Sequence, residues 1–443
     1  MKKFILASAV LAMAVLATVA SIPEKVASFT IGASASFGKS VKAFAYGAAE
    51  KLHAALFAHM ANQGMILGAN TLTALAPVLF SAAQNVSNEP FGVISAITTN
   101  FDDKGVAKGD SVIVPIAPVR AATDFTPGAV STTGDDSVAS NVSVQITQSK
   151  KVSWALTGEQ IRSLDNGAGS EEWMRQLVAQ GMRTLRNLAE ADCALQISYG
   201  AGRAYGTAGT TPFATDLSGL TNVYKMLKDN GAPMADLQLV VNTAAGLNLR
   251  NLGIIQQAYQ AGSDAERRSG NLLKQFGFSI GESAGIVQHT AGTGASYVTS
   301  GSTAAGVQNI ALVTGTGTVL SGDVVTFAAD TANKYVVSSG IAAPGTITLG
   351  RPGARTTIAT ANALTVGASY TPNLAFERSA VVAVMRPPLI PANPTITALP
   401  ISDDKGMTYL LLDIAQYGQR TLELHLAYGF KVVQGEHVHV LMG

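Results

Sequence analysis

Few residues of this chain have the type and spacing that chemistry requires. His437 and His439 alternate, which would put both imidazoles on one face of a strand, and His425 could lie near them. Three imidazoles can hold a zinc ion, but no acidic partner pattern accompanies these three. We read them as core or surface residues. Cys193 is the single cysteine, so no intrachain disulfide or cysteine-metal cluster is available. Its place within an apolar helical pattern marks a buried structural thiol rather than a nucleophile. The pairs Asp102-Asp103, Asp135-Asp136 and Asp403-Asp404 read as solvated turns, and no Ser, His and Asp spacing gathers around them. Phe37-Gly38-Lys39-Ser40 ends like a phosphate loop, but the upstream glycine it needs falls on Ala33. Gly292-Thr293-Gly294 and Gly315-Thr316-Gly317 lack the third glycine of a dinucleotide fingerprint and sit among strands, which makes them turns. No residue is assigned a catalytic, cofactor-binding or metal-binding role, and the chain is not expected to be an enzyme or to use a cofactor.

The composition points the same way. Thirty Lys and Arg stand against 29 Asp and Glu, a formal charge of +1 over 443 residues. No overall field draws the chain to nucleic acid or to an anionic membrane. Charged residues make up 13 %, against about a quarter in ordinary globular proteins. With 44 glycines, the surface must be apolar or small-residue, as it would be if much of it were buried against other copies of the chain. A secreted adhesin would share this composition.

The element that must position everything else is Ser170 to Leu195. Met174, Leu177, Val178, Leu185, Leu188, Ala191 and Leu195 recur at helical spacing with Gly181 on the same side, while Arg175, Gln176, Arg183, Asn187 and Glu190 fall on the other. Ser170 is placed to cap the helix, with Glu171 and Glu172 at its positive end. Such a helix would run on the order of 40 Å, longer than ordinary packing needs, and reads as a beam. Ahead of it, Ser111–Val119 and Asn141–Thr147 carry strand patterns across a turn-rich gap, predicting a long hairpin that no core of its own would stabilise. Thr157 and Gln160 have capping-box spacing.

Residues 1–20 look like an export signal, 22–59 like an amphipathic, mildly basic segment, and Met60 like a natural start. Gly64 to Pro90 has the outline of a helical arm. After the beam, Gly200–Thr211 reads as a loop. Leu220, Val223, Tyr224 and Leu227 predict a helix ended at Asn230-Gly231, and Leu237–Val241 a buried strand. Asn242 then opens a helical stretch running through Ile254 to Tyr259, and Asp264–Arg268 is an exposed loop. Between His289 and Ser369 short strands are expected at Asn309–Val313, Asp323–Phe327, Lys334–Val337, Thr346–Leu349 and Thr356–Ile358, the pattern of a small barrel or sandwich. Ala380–Met385, Tyr409–Ile414 and Thr421–Tyr428 return as strands.

Taken in order, these parts resemble a family, the major capsid proteins of tailed phages, and within it the coat protein of the phage P-twenty-two type. The stretches that carry the resemblance are VSWALTGEQIRSLDNGAGSEEWMRQLVAQGMRTLRNLAEADCAL, LVVNTAAGLNLRNLG, GNLLKQFGFSIGES, TVLSGDVVTFA, SYTPNLAFERSAVVAVMRPPLIP and LHLAYGFKVVQGEHVHVLMG. Glu436 stands where the family often has an acid, but Gln434-Gly435 replace the Arg-Pro that relatives tend to carry before it. The leader is a further departure.

The resemblance implies an α+β fold of the HK-ninety-seven type, with a spine helix, an extended hairpin loop and an inserted small β-barrel domain. The expected layout is a leader 1–59, an N-terminal arm 60–97, the hairpin loop 98–152 and a peripheral domain 153–205. An axial domain 206–288, the inserted barrel 289–370 and return strands 371–443 complete it. It further implies pentamers and hexamers of an icosahedral virion shell assembled in the host cytoplasm with a scaffolding protein and a portal. The shell would enclose double-stranded DNA without sequence-specific binding or any small-molecule substrate. A nanocompartment shell of the same fold and a secreted β-rich surface protein are the alternatives.

Overall fold

The structure, a computed structural model, describes residues 91–101, 107–116, 140–160, 170–253, 274–390, 396–403 and 407–443. Several sequence features lie outside the described residues: the leader and the arm to Pro90, Asp102-Asp103, the hairpin tip with Asp135-Asp136, Ile254 to Tyr259, Asp264–Arg268, and Asp404.

The chain enters through α1 (Val93–Ala96) and β1 (Thr98–Phe101), then forms β2 (Ser111–Ile116), β3 (Ser140–Gln145) and β4 (Gln148–Thr157). The beam is α2 (Ser170–Gly200), followed by β5 (Arg203–Tyr205), α3 (Ser218–Asp229), β6 (Leu237–Val241), α4 (Thr243–Asn251) and β7 (Phe278–Glu282). Short strands follow: β8 (Val298–Thr299), β9 (Asn309–Val313), β10 (Val324–Phe327), β11 (Asp330–Ser339), β12 (Thr346–Leu349) and β13 (Leu364–Val366). The chain closes with β14 (Pro372–Glu377), β15 (Val381–Arg386), β16 (Ile396–Ser402), β17 (Thr408–Gln416), β18 (Gln419–Val432) and β19 (Val438–Met442).

At 31 residues, α2 spans about 46 Å, five residues beyond the expected end at Leu195. Its buried face is Val178, Met182, Leu185, Ala189, Cys193 and Ile197, a 3–4 spacing turned slightly from the expected stripe. Leu188, expected inside, is exposed, and Glu190, expected outside, is buried. The face turned because two charged side chains, Arg186 and Glu190, found buried partners. Apolarity alone does not reveal such partners.

That face lies on a six-stranded sheet in the order β1-β15-β18-β17-β16, with β4 added to β18. The stretch between the expected hairpin and the capping box is β4 itself, paired over ten residues with β18, from Gln148↔Tyr428 to Thr157↔Gln419. Gly181 faces it, where any side chain would overlap the Trp154 ring. The capping box forms as read: the Thr157 amide donates to Gln160 Oε1 (3.0 Å) and the Gln160 amide to Thr157 Oγ1 (3.4 Å).

The ribbon β2–β3 pairs antiparallel from Ser111↔Gln145 to Ile116↔Ser140. Its base is not free of its own chain. Val144 and Ile146 are buried among Val382, Val384, Ala427 and Val433, and Lys431 Nζ donates to the Ser143 carbonyl at 2.9 Å.

The second sheet runs β7-β6-β14-β19-β5 and continues through β11, β12, β9 and β8. Its central strands β6, β14 and β19 are buried throughout, the signature of strands covered on both faces. Between 289 and 370 the pairing β8-β9-β12-β11-β10-β13 closes on itself. Leu364 N donates to Tyr297 O (2.9 Å) and Thr299 N to Asn362 O (3.0 Å), around a core of Tyr297, Ile310, Phe327, Tyr335 and Ile347.

Three expectations give way. Thr356–Ile358 is no strand: Ile358 makes one bridge to Thr303, and Thr356 sends its hydroxyl to Asp330 (3.0 Å). The helix after Asn242 is not continuous: it breaks at Leu252, which turns extended, Gly253 is helical again, and the rest of the expected stretch lies outside the described residues. The loop Gly200–Thr211 contains β5, which is too short for periodicity to show but is paired on both edges, to β19 and β11.

Candidate functional site

Among the described residues no cluster of three or more His, Cys, Asp or Glu is placed to hold a metal. The polar side chains gather instead at two joints.

At the first, Arg186 and Glu190 stand one turn apart on α2 and face inward. Arg186 meets Asp403 Oδ2 at 2.7 Å, with side-chain exposures of 1 % and 0 %. Asp403 also accepts from the Met407 amide (3.0 Å) and the Tyr409 hydroxyl (3.2 Å), so it is no solvated turn residue but the anchor of the β16–β17 connection on the helix. The Arg186 guanidinium also covers the Phe91 ring at 4.9 Å.

Glu190 accepts from the Val93 and Ile94 amides (2.7 and 3.0 Å) and from the Ser283 hydroxyl (2.7 Å). It thereby satisfies donors at the start of α1 that no side-chain cap serves. Burial pushes its carboxyl above the usual range although these donors pull it down. Two turns of helix thus hold the entering segment, the second sheet and the β16–β17 connection. Nearby, Tyr428 donates to Asp192 (2.6 Å), and burial pushes the Cys193 thiol well up, as suits a structural thiol.

The second joint lies where the closed strand circuit meets β5, α3 and the chain's end. Asn230, the residue that ends α3, accepts from Arg203 Nη2 (3.2 Å) and Arg355 Nη1 (3.3 Å). It donates to the Glu436 carbonyl (2.8 Å) and faces His439 Nε2 at 3.3 Å. Burial, then Arg203, drives the His439 imidazole down to about 3. Asn373 fastens the neighbouring strands, donating to Leu441 O (3.0 Å) and accepting from the Asn242 amide (2.9 Å). Asn242 in turn caps α4 through Ala245 N (2.9 Å).

The histidines singled out in the sequence are not brought together. His437 belongs to a 3-10 turn at Gly435–His437 rather than to the strand of His439, and its Nδ1 meets Gln434 (3.0 Å). His425 pairs with Glu423 (2.9 Å). Gly315 and Gly317 take positive φ, as turns require. Arg186 and Arg203 escaped the sequence reading, and Asn230 entered it only as the end of a helix. For Arg186 a signal existed: Met182, Arg186, Glu190 and Cys193 continue the buried spacing through two charges, which marks a paired ion rather than an outer face.

No described helix is long and apolar enough to cross a membrane. No family model and no curated protein matches the chain. Solved structures do resemble it, among them chains of phage capsids. A chain of Mycobacterium phage Che8 is 16 % identical, with 81 % of this chain and 89 % of that one covered at a TM-score of 0.41. The capsid of the cyanophage P-SCSP1u is 13 % identical, covering 82 % and 91 % at 0.42. A virus-like particle from Pyrococcus furiosus is 8 % identical, covering 83 % and 98 % at 0.38. The described residues are of the mixed α+β class, built on two large sheets, a two-stranded ribbon and a 31-residue helix.

Proposed function

We propose that this chain is the major capsid protein of a tailed phage, copies of which close an icosahedral head around double-stranded DNA. The observation that carries the reading is a 31-residue helix packed on one sheet by one face, beside a two-stranded ribbon docked on that sheet by its base. Trp173 and Leu188 on the helix, Ile113 on the ribbon and Tyr417 at the β17–β18 turn all present apolar surface to solvent. A subunit that overlaps its neighbours would cover these side chains and use the length of the beam. The order of parts along the chain supports it too, since ribbon, spine, strand–Asn–helix, closed strand circuit and return strands follow the sequence of parts in the capsid family. On this reading 98–152, 153–205, 206–288, 289–370 and 371–443 are the loop, peripheral, axial, inserted and returning parts. A scaffolding protein and a portal are the further partners, assembly takes place in the host cytoplasm, and the subunit has no enzymatic activity.

Electron microscopy of the chain, expressed alone and with the scaffolding protein encoded beside it, tests this. Closed shells of uniform size are expected, with nuclease-protected DNA in particles from infected cells. Shells holding a protein cargo and no DNA would turn the reading to a nanocompartment. Monomers under both conditions would overturn it.

A further inference from the structure

The joint at Asn230 has a chemical property that its structural role leaves unused. Asn230 is followed by Gly231, which is exposed and takes φ 73°. With no side chain on the following residue, the backbone nitrogen can approach the asparagine Cγ without hindrance, and Asn-Gly is for that reason a pair prone to deamidation. In the folded chain both reacting groups are occupied. The Gly231 amide donates to the Lys228 carbonyl at 3.0 Å. The Asn230 side chain uses its whole hydrogen-bonding capacity, two acceptor contacts from Arg203 and Arg355 and two donor contacts toward Glu436 and His439.

We propose that Asn230 is a modification site, deamidated when the contact between α3 and the 351–356 loop opens and protected while it is closed. The Gly231 nitrogen attacks Cγ of Asn230, the Cγ–Nδ2 bond breaks, and ammonia leaves with the proton that the amide gives up. A five-membered imide results, and water opens either of its two C–N bonds to give aspartate or isoaspartate. The balance is asparagine plus water to acid plus ammonia, with no oxidant or cofactor. Deamidation is irreversible at this joint. The new carboxylate keeps acceptors for the two arginines but has no hydrogen to give the Glu436 carbonyl. The isoaspartate form also lengthens the backbone at the end of α3. Arg355 is the exposed member of the set, so it is the contact whose loss opens the joint first.

The test uses the full-length chain, incubated at mildly alkaline pH and sampled by peptide mass spectrometry, with fragmentation locating the change at Asn230. Native protein is expected to deamidate there at least about tenfold more slowly than the same protein in urea, the ratio being set by how seldom the joint opens. Arg355→Ala is expected to raise the native rate severalfold while Arg355→Lys raises it less, with thermal melting showing both still folded. Equal rates in native and denatured protein would overturn the proposal. So would a folded Arg355→Ala variant with the wild-type rate. Should Arg355→Ala fail to fold, the comparison of native with denatured wild-type protein decides alone. Neither outcome depends on whether the chain forms shells.

Discussion

Arg186 and Asp403 show what a single pair does when water is excluded from it. Taking two charges out of water costs about as much as their attraction returns, so the pair adds little net stability, but removing one partner strands the other. Arg186→Ala is therefore expected to destabilise the chain by roughly 3–5 kcal/mol, read from urea unfolding. The double change Arg186→Met with Asp403→Leu is expected to recover only part of that loss, because the Met407 amide and the Tyr409 hydroxyl then lose their acceptor.

Glu190 and His439 make opposite contributions to the pH dependence of stability. The Glu190 carboxyl lies above its usual 4.5 in the fold, so its contribution is full below about that pH and is lost as pH rises through the folded value. Glu190→Gln is expected to flatten that part of the profile. His439 stays neutral in the fold down to about 3, against 6.5 for a free imidazole. Its contribution is present above 6.5 and is lost as pH falls from there toward 3, a loss on the order of a few kcal/mol. His439→Gln is expected to remove that acid limb in thermal melts taken across the range.

At the scale of elements, the ribbon is the most informative. Two strands cannot hold themselves together in water, and β2–β3 relies on Val144 and Ile146 seated among Val382, Val384, Ala427 and Val433. Val144→Asp places a carboxylate in that apolar cluster. Hydrogen exchange is expected to show the β2–β3 amides losing protection while α2 keeps its own, and shell formation is expected to fail. If the ribbon stays protected, its base is held by something other than this cluster. The same logic explains Gly181: β4 passes so close to α2 that only a residue without a side chain leaves room for Trp154.

At the scale of the molecule, the near balance of charge, 30 basic against 29 acidic residues, bears on the proposed contents. A container that neutralised many phosphates would release its DNA steeply with salt. The empty shell is expected to bind DNA weakly and with a shallow salt dependence, measured by filter retention across ionic strengths. Tight, salt-steep binding would mean that basic surface is concentrated on one face.

Much of this architecture could be read along the chain. Local periodicity and capping chemistry set the beam, the two ribbon strands, the capping box at Thr157, the α3 end at Asn230-Gly231 and the buried β6, because each depends on residues within a turn or a strand of one another. What tertiary structure alone decided are the contacts between residues far apart in sequence. They include Arg186 with Asp403, Glu190 with Val93 and Ser283, β5 between β19 and β11, and Asn230 between two arginines. The local spacing of a charged residue can mark it as buried, as at Arg186, but not which residue hundreds of positions away will meet it, and a three-residue strand has no period to detect. Burial of both kinds becomes favourable only once the fold has supplied the other half of the bond.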